Sequence, residues 1–243
     1  MVWGRVDITS LWALRCQGCL ALAMPGKEWC RRCFEHLPVN HSACPRCAHP
    51  LPATSSSCGG CMKQPLPMDH VFSPFLYDED IAWLIVRFKH HADFRAGHNL
   101  FRLLEGHLYK VSDADSPALL PVPSHVSRCR ERGFDPVCWL AQRVARRLAW
   151  PLLEAHKRRA TPRQQQLTRA GRVKNQRQVF EVPDMTGKTV WLFDDVMTTG
   201  ATLGSLAQAC RARGACRVNA LTLARTPASH ESASMAAPPR RTP

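Results

Sequence analysis

Val190 to Leu203 reads VWLFDDVMTTGATL, and the fold turns on how this stretch is read. Four apolar residues, Val190 to Phe193, suit a buried parallel strand. Two carboxylates follow, Asp194 and Asp195. Then comes a turn of small and hydroxyl residues, Thr198, Thr199, Gly200, Ala201 and Thr202. An apolar helix from Ala201 to Arg213 comes next, with Gly214 placed to cap it. A strand, a turn of exposed N–H groups and a helix N-terminus together make an anion site. Gly200 lets the backbone approach a phosphate closely, and the threonines add hydroxyl donors. The two carboxylates repel a phosphate, but they accept hydrogen bonds from hydroxyls such as a ribose diol. A sugar phosphate fits both halves. A ligand-free DD turn with a threonine cap is the plainer alternative.

Outward from this centre the pattern alternates in the α/β manner. Ala118 to Val122 is expected as a buried strand, Phe134 to Leu148 as a helix, Pro151 to Lys157 and Val179 to Val182 as short strands, and Arg217 to Ala224 as the last strand. Upstream, His70 to Tyr77 reads as a strand. Ile81 to Phe88 reads as a helix ended by Lys89, and Phe94 to Tyr109 as a second helix. These elements form a domain over residues 70–226. Residues 227–243, rich in Ala, Ser and Pro, read as a disordered tail.

Open α/β sheets bind ligands at the C-terminal ends of their strands, and two basic segments lead there. Pro123 to Gly133 reads as a loop carrying Ser124, Arg128, Arg130 and Arg132. Guanidinium forks suit diphosphate oxygens, and Arg128 and Arg132 would share a face on a helical turn. Thr161 to Gln178 is long and polar and suits a loop that closes over substrate. With its flanks it holds Arg158, Arg159, Arg163, Arg169, Arg172, Lys174 and Arg177, and no acidic residue.

The chain has 243 residues and 12 cysteines, and 33 Lys and Arg against 19 Asp and Glu give a net charge of +14. Such a balance favours polyanionic partners, nucleic acid first. Eight cysteines form the CxxC pairs Cys16/Cys19, Cys30/Cys33, Cys44/Cys47 and Cys58/Cys61, with ten residues between each pair and the next. Tetrahedral zinc explains paired CxxC steps at a fixed period better than disulfides do. Residues 1–66 therefore read as a double zinc ribbon holding one or two structural ions. Short loops favour consecutive pairing, and a cross-braced arrangement is the alternative. No apolar run is long enough to span a bilayer. The N-terminus lacks the core of a secretory signal, so a cytoplasmic protein is expected.

The VWLFDDVMTTGAT run resembles the 5-phosphoribosyl-1-pyrophosphate (PRPP) motif of type I phosphoribosyltransferases. That resemblance implies their fold, a mostly parallel sheet flanked by helices. It also implies ribose held by Asp194 and Asp195, the 5′-phosphate held by Thr198 to Thr202, pyrophosphate contacted by the Pro123 to Gly133 loop, and Mg²⁺ arriving with PRPP. Over residues 16 to about 225 the order of CxxC pairs, Lys89, VP…R…RGF, T…Q…L…R…N…F and DDVMTTGAT is similar to the ComF family, and within it to the GntX-type DNA utilisation proteins. The matching positions include Pro121, Pro123, Arg128, Arg132, Gly133, Phe134, Gln164, Arg172 and Asn175. By this resemblance Asp194, Asp195 and Arg172 would be catalytic, and Arg159, Gln164 and Asn175 would belong to the flexible loop. Two positions depart from the family pattern: Asp135 stands where Asn is usual, and His90 where an aromatic is frequent.

The family resemblance implies a role in DNA uptake or in the use of DNA as nutrient, with single-stranded DNA and a helicase-like competence protein as partners. Three functions share these features. A phosphoribosyltransferase would release pyrophosphate from PRPP. Thr198 makes an oxopurine acceptor less apt, because purine-salvage relatives have an acidic residue at that step. A non-catalytic binder would seat a phosphate of single-stranded DNA in the same crevice, with Trp139 and Trp150 as candidate stacking platforms. An adaptor would use only its zinc ribbon.

Overall fold

The computed structural model describes residues 15–52, 55–111, 117–124, 126–157 and 180–227, with backbone alone at 126–128. Two short helices, α1 (Arg31–Glu35) and α2 (Gly59–Lys63), belong to the cysteine-rich segment. The larger part runs β1 (His70–Phe72), β2 (Phe75–Leu76), α3 (Glu79–His91), α4 (Phe94–Glu105), β3 (Pro117–Pro121), α5 (Val126–Arg132), α6 (Pro136–Leu148), β4 (His156–Lys157), β5 (Phe180–Glu181), β6 (Thr189–Met197), α7 (Ala201–Ala212) and β7 (Arg217–Arg225).

The main sheet is ordered β1-β7-β6-β3, with β2 pairing further along β7, and every pairing in it is parallel. Parallel strands are covered on both faces, and the side chains divide accordingly. Leu119, Trp191, Phe193, Leu221 and Leu223 join one core with α3, α4 and α6. Leu120, Val190, Leu192, Val218 and Ala220 join a second core with α7. Burying both faces makes Val190 to Phe193 a continuous apolar run rather than an alternating one.

Several expected boundaries move. β6 does not stop at Phe193 but continues through both aspartates to Met197, because β7 keeps pairing with it from Asp194 to Met197. The stretch from His70 to Tyr77 forms two short strands rather than one. Phe94 to Tyr109 ends as an α-helix at Glu105, and a single 3-10 turn follows at Leu108–Lys110. Of Pro151 to Lys157 only His156–Lys157 is a strand, and it pairs antiparallel with β5 outside the main sheet. The basic segment after Pro123 is not all loop, since Val126–Arg132 is helical.

Helices α3, α4 and α6 begin on acidic caps. Asp78 accepts from the N–H of Glu79, Asp93 from those of Arg95 and Ala96, and Asp135 from those of Val137 and Cys138. Each cap satisfies amides that the helix cannot. Helices α3 and α4 meet at a glycine: a Cβ on Gly97 would lie 2.6 Å from the Phe88 ring.

The cysteine-rich segment repeats one construction. Cys16 to Cys19 and Cys44 to Cys47 each form a turn, closed by Leu20 N–H to Cys16 O at 3.0 Å and by Ala48 N–H to Cys44 O at 2.7 Å. Leu20 and Ala48 both take positive φ there, at 63° and 52°. The next pair in each unit opens a short helix, with Cys30 and Cys58 as N-caps. Both units are tied to the sheet domain. Trp29 donates to buried Asn99 of α4 at 2.7 Å. Val39 bridges antiparallel to Phe75, and Val71 donates to Pro45 O at 2.8 Å. These contacts cover the β1–β2 edge, which an open sheet would leave exposed.

Candidate functional site

The acid pair sits inside β6, one residue facing each way. Asp195 is buried, with 4% of its surface exposed. Its carboxylate is paired with the ammonium of Lys89, from the last turn of α3. It also accepts the Val196 N–H at 2.7 Å. Asp194 accepts the N–H of Asp195 at 2.9 Å and is half-buried. Burial first, and the neighbouring Asp195 charge second, push the Asp194 carboxyl up to about 8, against the pull of the Asp195 N–H and of Lys89. Asp195 thus has its counter-ion within the fold. Among the described residues Asp194 has no such counter-ion, and it favours a partner that brings hydroxyls or positive charge.

Beyond Met197 the chain turns. Gly200 takes the left-handed conformation at φ 78° and begins α7 with no side-chain cap. A side chain there would be strained, and its Cβ would stand 2.6 Å from Met197 Cε and 3.0 Å from Leu66 Cδ1. Thr198, Thr199, Ala201 and Thr202 are exposed. Thr199 Oγ1 accepts from Ala201 N–H at 3.3 Å. An uncapped twelve-residue helix flanked by exposed hydroxyls favours an anion at its start.

The Pro123 segment leaves the sheet beside this turn. Pro121 of β3 is in register with Phe193 of β6, and Val122 N–H donates to Phe193 O at 2.8 Å. Pro123 and Ser124 therefore start next to the acid pair. Arg132, at the end of α5, is half-buried. Phe134 packs on Phe88 at 5.2 Å and on Phe94 at 5.1 Å between ring centroids. Phe88 directly precedes Lys89, so the RGF corner and the Lys89–Asp195 pair share one support. Asp135 faces its own helix N-terminus, with Cys129 Sγ also donating to it at 3.7 Å. The expected stacking platforms are otherwise engaged. Trp150 is buried against Trp191, and Trp139 lies under Arg143 and beside Phe88 and Phe94.

The cysteines gather consecutively. Cys16, Cys19, Cys30 and Cys33 form one quartet and Cys44, Cys47, Cys58 and Cys61 the other, with all sulfurs of a quartet within 4.8 Å of one another. The pairing is not cross-braced. Burial opposes the Cys44 thiolate, yet N–H groups of Cys58 and Arg46 outweigh it and hold the thiol at about 6. Burial, then hydrogen bonding with Cys61 and Cys58, drives Cys47 far upward. Four thiols this close cannot all ionise unless a cation lies among them. The donor set and spacing fit structural Zn²⁺.

Sequence reasoning missed two supports of the turn. Arg225, at the end of β7, donates to Met197 O at 3.1 Å, to Thr226 O and to Cys47 O at 2.9 Å, linking the turn to the second quartet. Leu66 packs against Gly200 from the proline-flanked stretch after the last CxxC pair. Nothing local in the sequence marks that long-range contact. Arg159, Gln164, Arg172 and Asn175, the side chain of Arg128 and the tail beyond Pro227 lie outside the described residues. Among the described residues no helix is long and apolar enough to cross a membrane.

Comparison with known proteins agrees with this architecture. Residues 8–62 match the double zinc ribbon domain and residues 138–237 the phosphoribosyl transferase domain. Competence protein F of Haemophilus influenzae is 30% identical over 179 residues, 68% of this chain and 76% of that protein. DNA utilization protein YhgH of Escherichia coli K12 is 28% identical over 219 residues, 87% of this chain and 90% of that one. Among solved structures, orotate phosphoribosyltransferase from Aeropyrum pernix aligns with a TM-score of 0.36 and 21% identity, covering 57% of this chain and 66% of that one. The sheet domain has the type I phosphoribosyltransferase fold. The two domain models in this order, and relatedness running over most of both chains, show that the chain belongs to the ComF family.

Proposed function

We propose that the β6–α7 crevice binds PRPP or a closely similar ribose phosphate with Mg²⁺, and that the protein works in the uptake or use of DNA. One observation carries the ligand: an acid pair in the C-terminal part of β6 precedes, by a short turn, a helix N-terminus that begins at a left-handed glycine with no side-chain cap. Asp194, raised to about 8 and without an ion-pair partner among the described residues, would accept the ribose hydroxyls. Lys89 would hold Asp195 in place. Thr198 to Thr202 would surround the 5′-phosphate, and Pro123, Ser124 and Arg132 would lie on the pyrophosphate side with Arg128. Mg²⁺ arriving with the ligand would neutralise phosphate charge beside Asp194. The names of the relatives, Competence protein F and DNA utilization protein, support the DNA role. The net charge of +14 supports single-stranded DNA as partner.

Mixing the protein with PRPP, Mg²⁺ and a panel of bases tests for turnover. Pyrophosphate release that disappears in Asp194→Ala and Asp195→Ala supports a transferase. Saturable PRPP binding without release, competed by single-stranded oligonucleotide, supports a binder using the same crevice. No PRPP binding contradicts both.

A further inference from the structure

A cleft of about 710 Å³ lies between the second cysteine quartet and the phosphate turn. Pro50, Leu51, Met62 and Leu66 line it with Gly59, and Thr199 of the turn completes it. It is contiguous with the crevice in two ways. Thr199 belongs to both, and Leu66, which lines the cleft, also stands against Gly200. Its volume is in the range of small-molecule sites, which are largely apolar with a few polar groups. Among the described residues lining it there is no carboxylate, and Arg225 adds a guanidinium. The acid pair is not part of this lining, so the cleft adjoins the phosphate turn and not the sugar hydroxyls.

These positions set what the cleft receives. A ribose whose diol faces the acid pair and whose 5′-phosphate sits on the turn has a phosphate oxygen free on the far side. We propose that this oxygen is esterified in the physiological ligand, and that the cleft holds the nucleoside attached through it. The site then takes a 3′→5′ phosphodiester, not solely a terminal monoester. Proline, leucine and methionine side chains offer apolar surfaces to a base; the described lining holds no carboxylate, and the quartet enters it through Cys47, Cys58 and Cys61. The assignment rests on the sugar-phosphate reading of the turn.

The zinc-loaded full chain is titrated by calorimetry with ribose 5-phosphate, adenosine 5′-monophosphate and uridylyl-(3′→5′)-adenosine, the last placing uridine in the cleft. The dinucleotide should bind about tenfold tighter than the monophosphate, the scale of burying about 60 Å² of apolar base surface. Gly59 has open space where its Cβ would be, so Gly59→Trp can start its side chain without strain and place an indole in the cleft. That variant should lose the dinucleotide preference and keep wild-type affinity for ribose 5-phosphate and a full zinc load. Met62 is 71% exposed, so Met62→Ala should fold normally and weaken the dinucleotide alone, by a smaller factor. A dinucleotide no tighter than the monophosphate overturns the cleft assignment and leaves the sugar-phosphate reading standing, as do variants that weaken all three ligands alike. Failure of ribose 5-phosphate and the monophosphate to bind overturns both.

Discussion

Asp194 is the residue most out of balance with its surroundings. Its carboxyl rises from 3.8 to about 8, through burial and then through Asp195. Between those values the folded chain holds a proton that the unfolded chain releases. Stability therefore falls as pH rises through this window and levels off above it. Asp194→Asn should remove that slope and be more stable than wild type by about 1–2 kcal/mol near pH 8, as read from urea melts at pH 5 and pH 8. Equal slopes in the two proteins would contradict the raised value. Lys89 makes a complementary case. Lys89→Met leaves a buried carboxylate unpaired and should cost about 3 kcal/mol, most of it restored by adding Asp195→Asn. A double-mutant cycle measures that coupling directly. The acids and Gly200 were legible in the sequence because their chemistry is local. The pairing of Lys89 with Asp195 was not, since 106 positions of chain separate them and nothing but the fold brings them together.

At the scale of elements, the β6–α7 unit was legible because strand, turn and helix follow one another without interruption. The length of β6 was hidden: two charged residues look like the end of a buried strand, and only the continued pairing with β7 overrides that. Helix α5 was hidden by its arginines, which gave Val126–Arg132 the look of a solvated loop. Asp135 shows the opposite effect. A position that departs from the family pattern turns out to cap α6, a duty the residue type performs well. The α3–α4 contact has its own test. Gly97→Ala would press a methyl into the Phe88 ring and should destabilise by about 1–3 kcal/mol. Because Phe88 supports Lys89 and Phe134, the variant should also weaken ribose phosphate binding. An unchanged urea midpoint would show that the helices part easily.

Across the whole molecule, the ribbon is more than an appended module. Cys16, Trp29 and Leu37 enter the core on the α3–α4–α6 face, while Cys44, Cys47, Cys58 and Cys61 enter the core on the α7 face. The cysteine spacing announced the ion sites, but no sequence pattern announced this two-sided docking, which depends on Asn99, Phe75 and Arg225. Metal analysis should return two zinc ions per chain, one for each quartet. The quartets should differ in their influence on the crevice. Cys44→Ser with Cys47→Ser disturbs the Arg225 clamp on Met197 and should weaken ribose 5-phosphate binding about tenfold, since a ligand cradle tolerates little displacement. Cys16→Ser with Cys19→Ser should lower thermal stability with little effect on that affinity. The account as a whole stands on the joint action of the acid pair and the threonine–glycine turn. Calorimetric titration with Mg²⁺ and PRPP tests it most directly. The account predicts one saturable site in the wild type, weakened at least about tenfold in Asp194→Asn/Asp195→Asn and lost in Gly200→Val. A wild type that shows no heat of binding, or variants that bind as the wild type does, would contradict it.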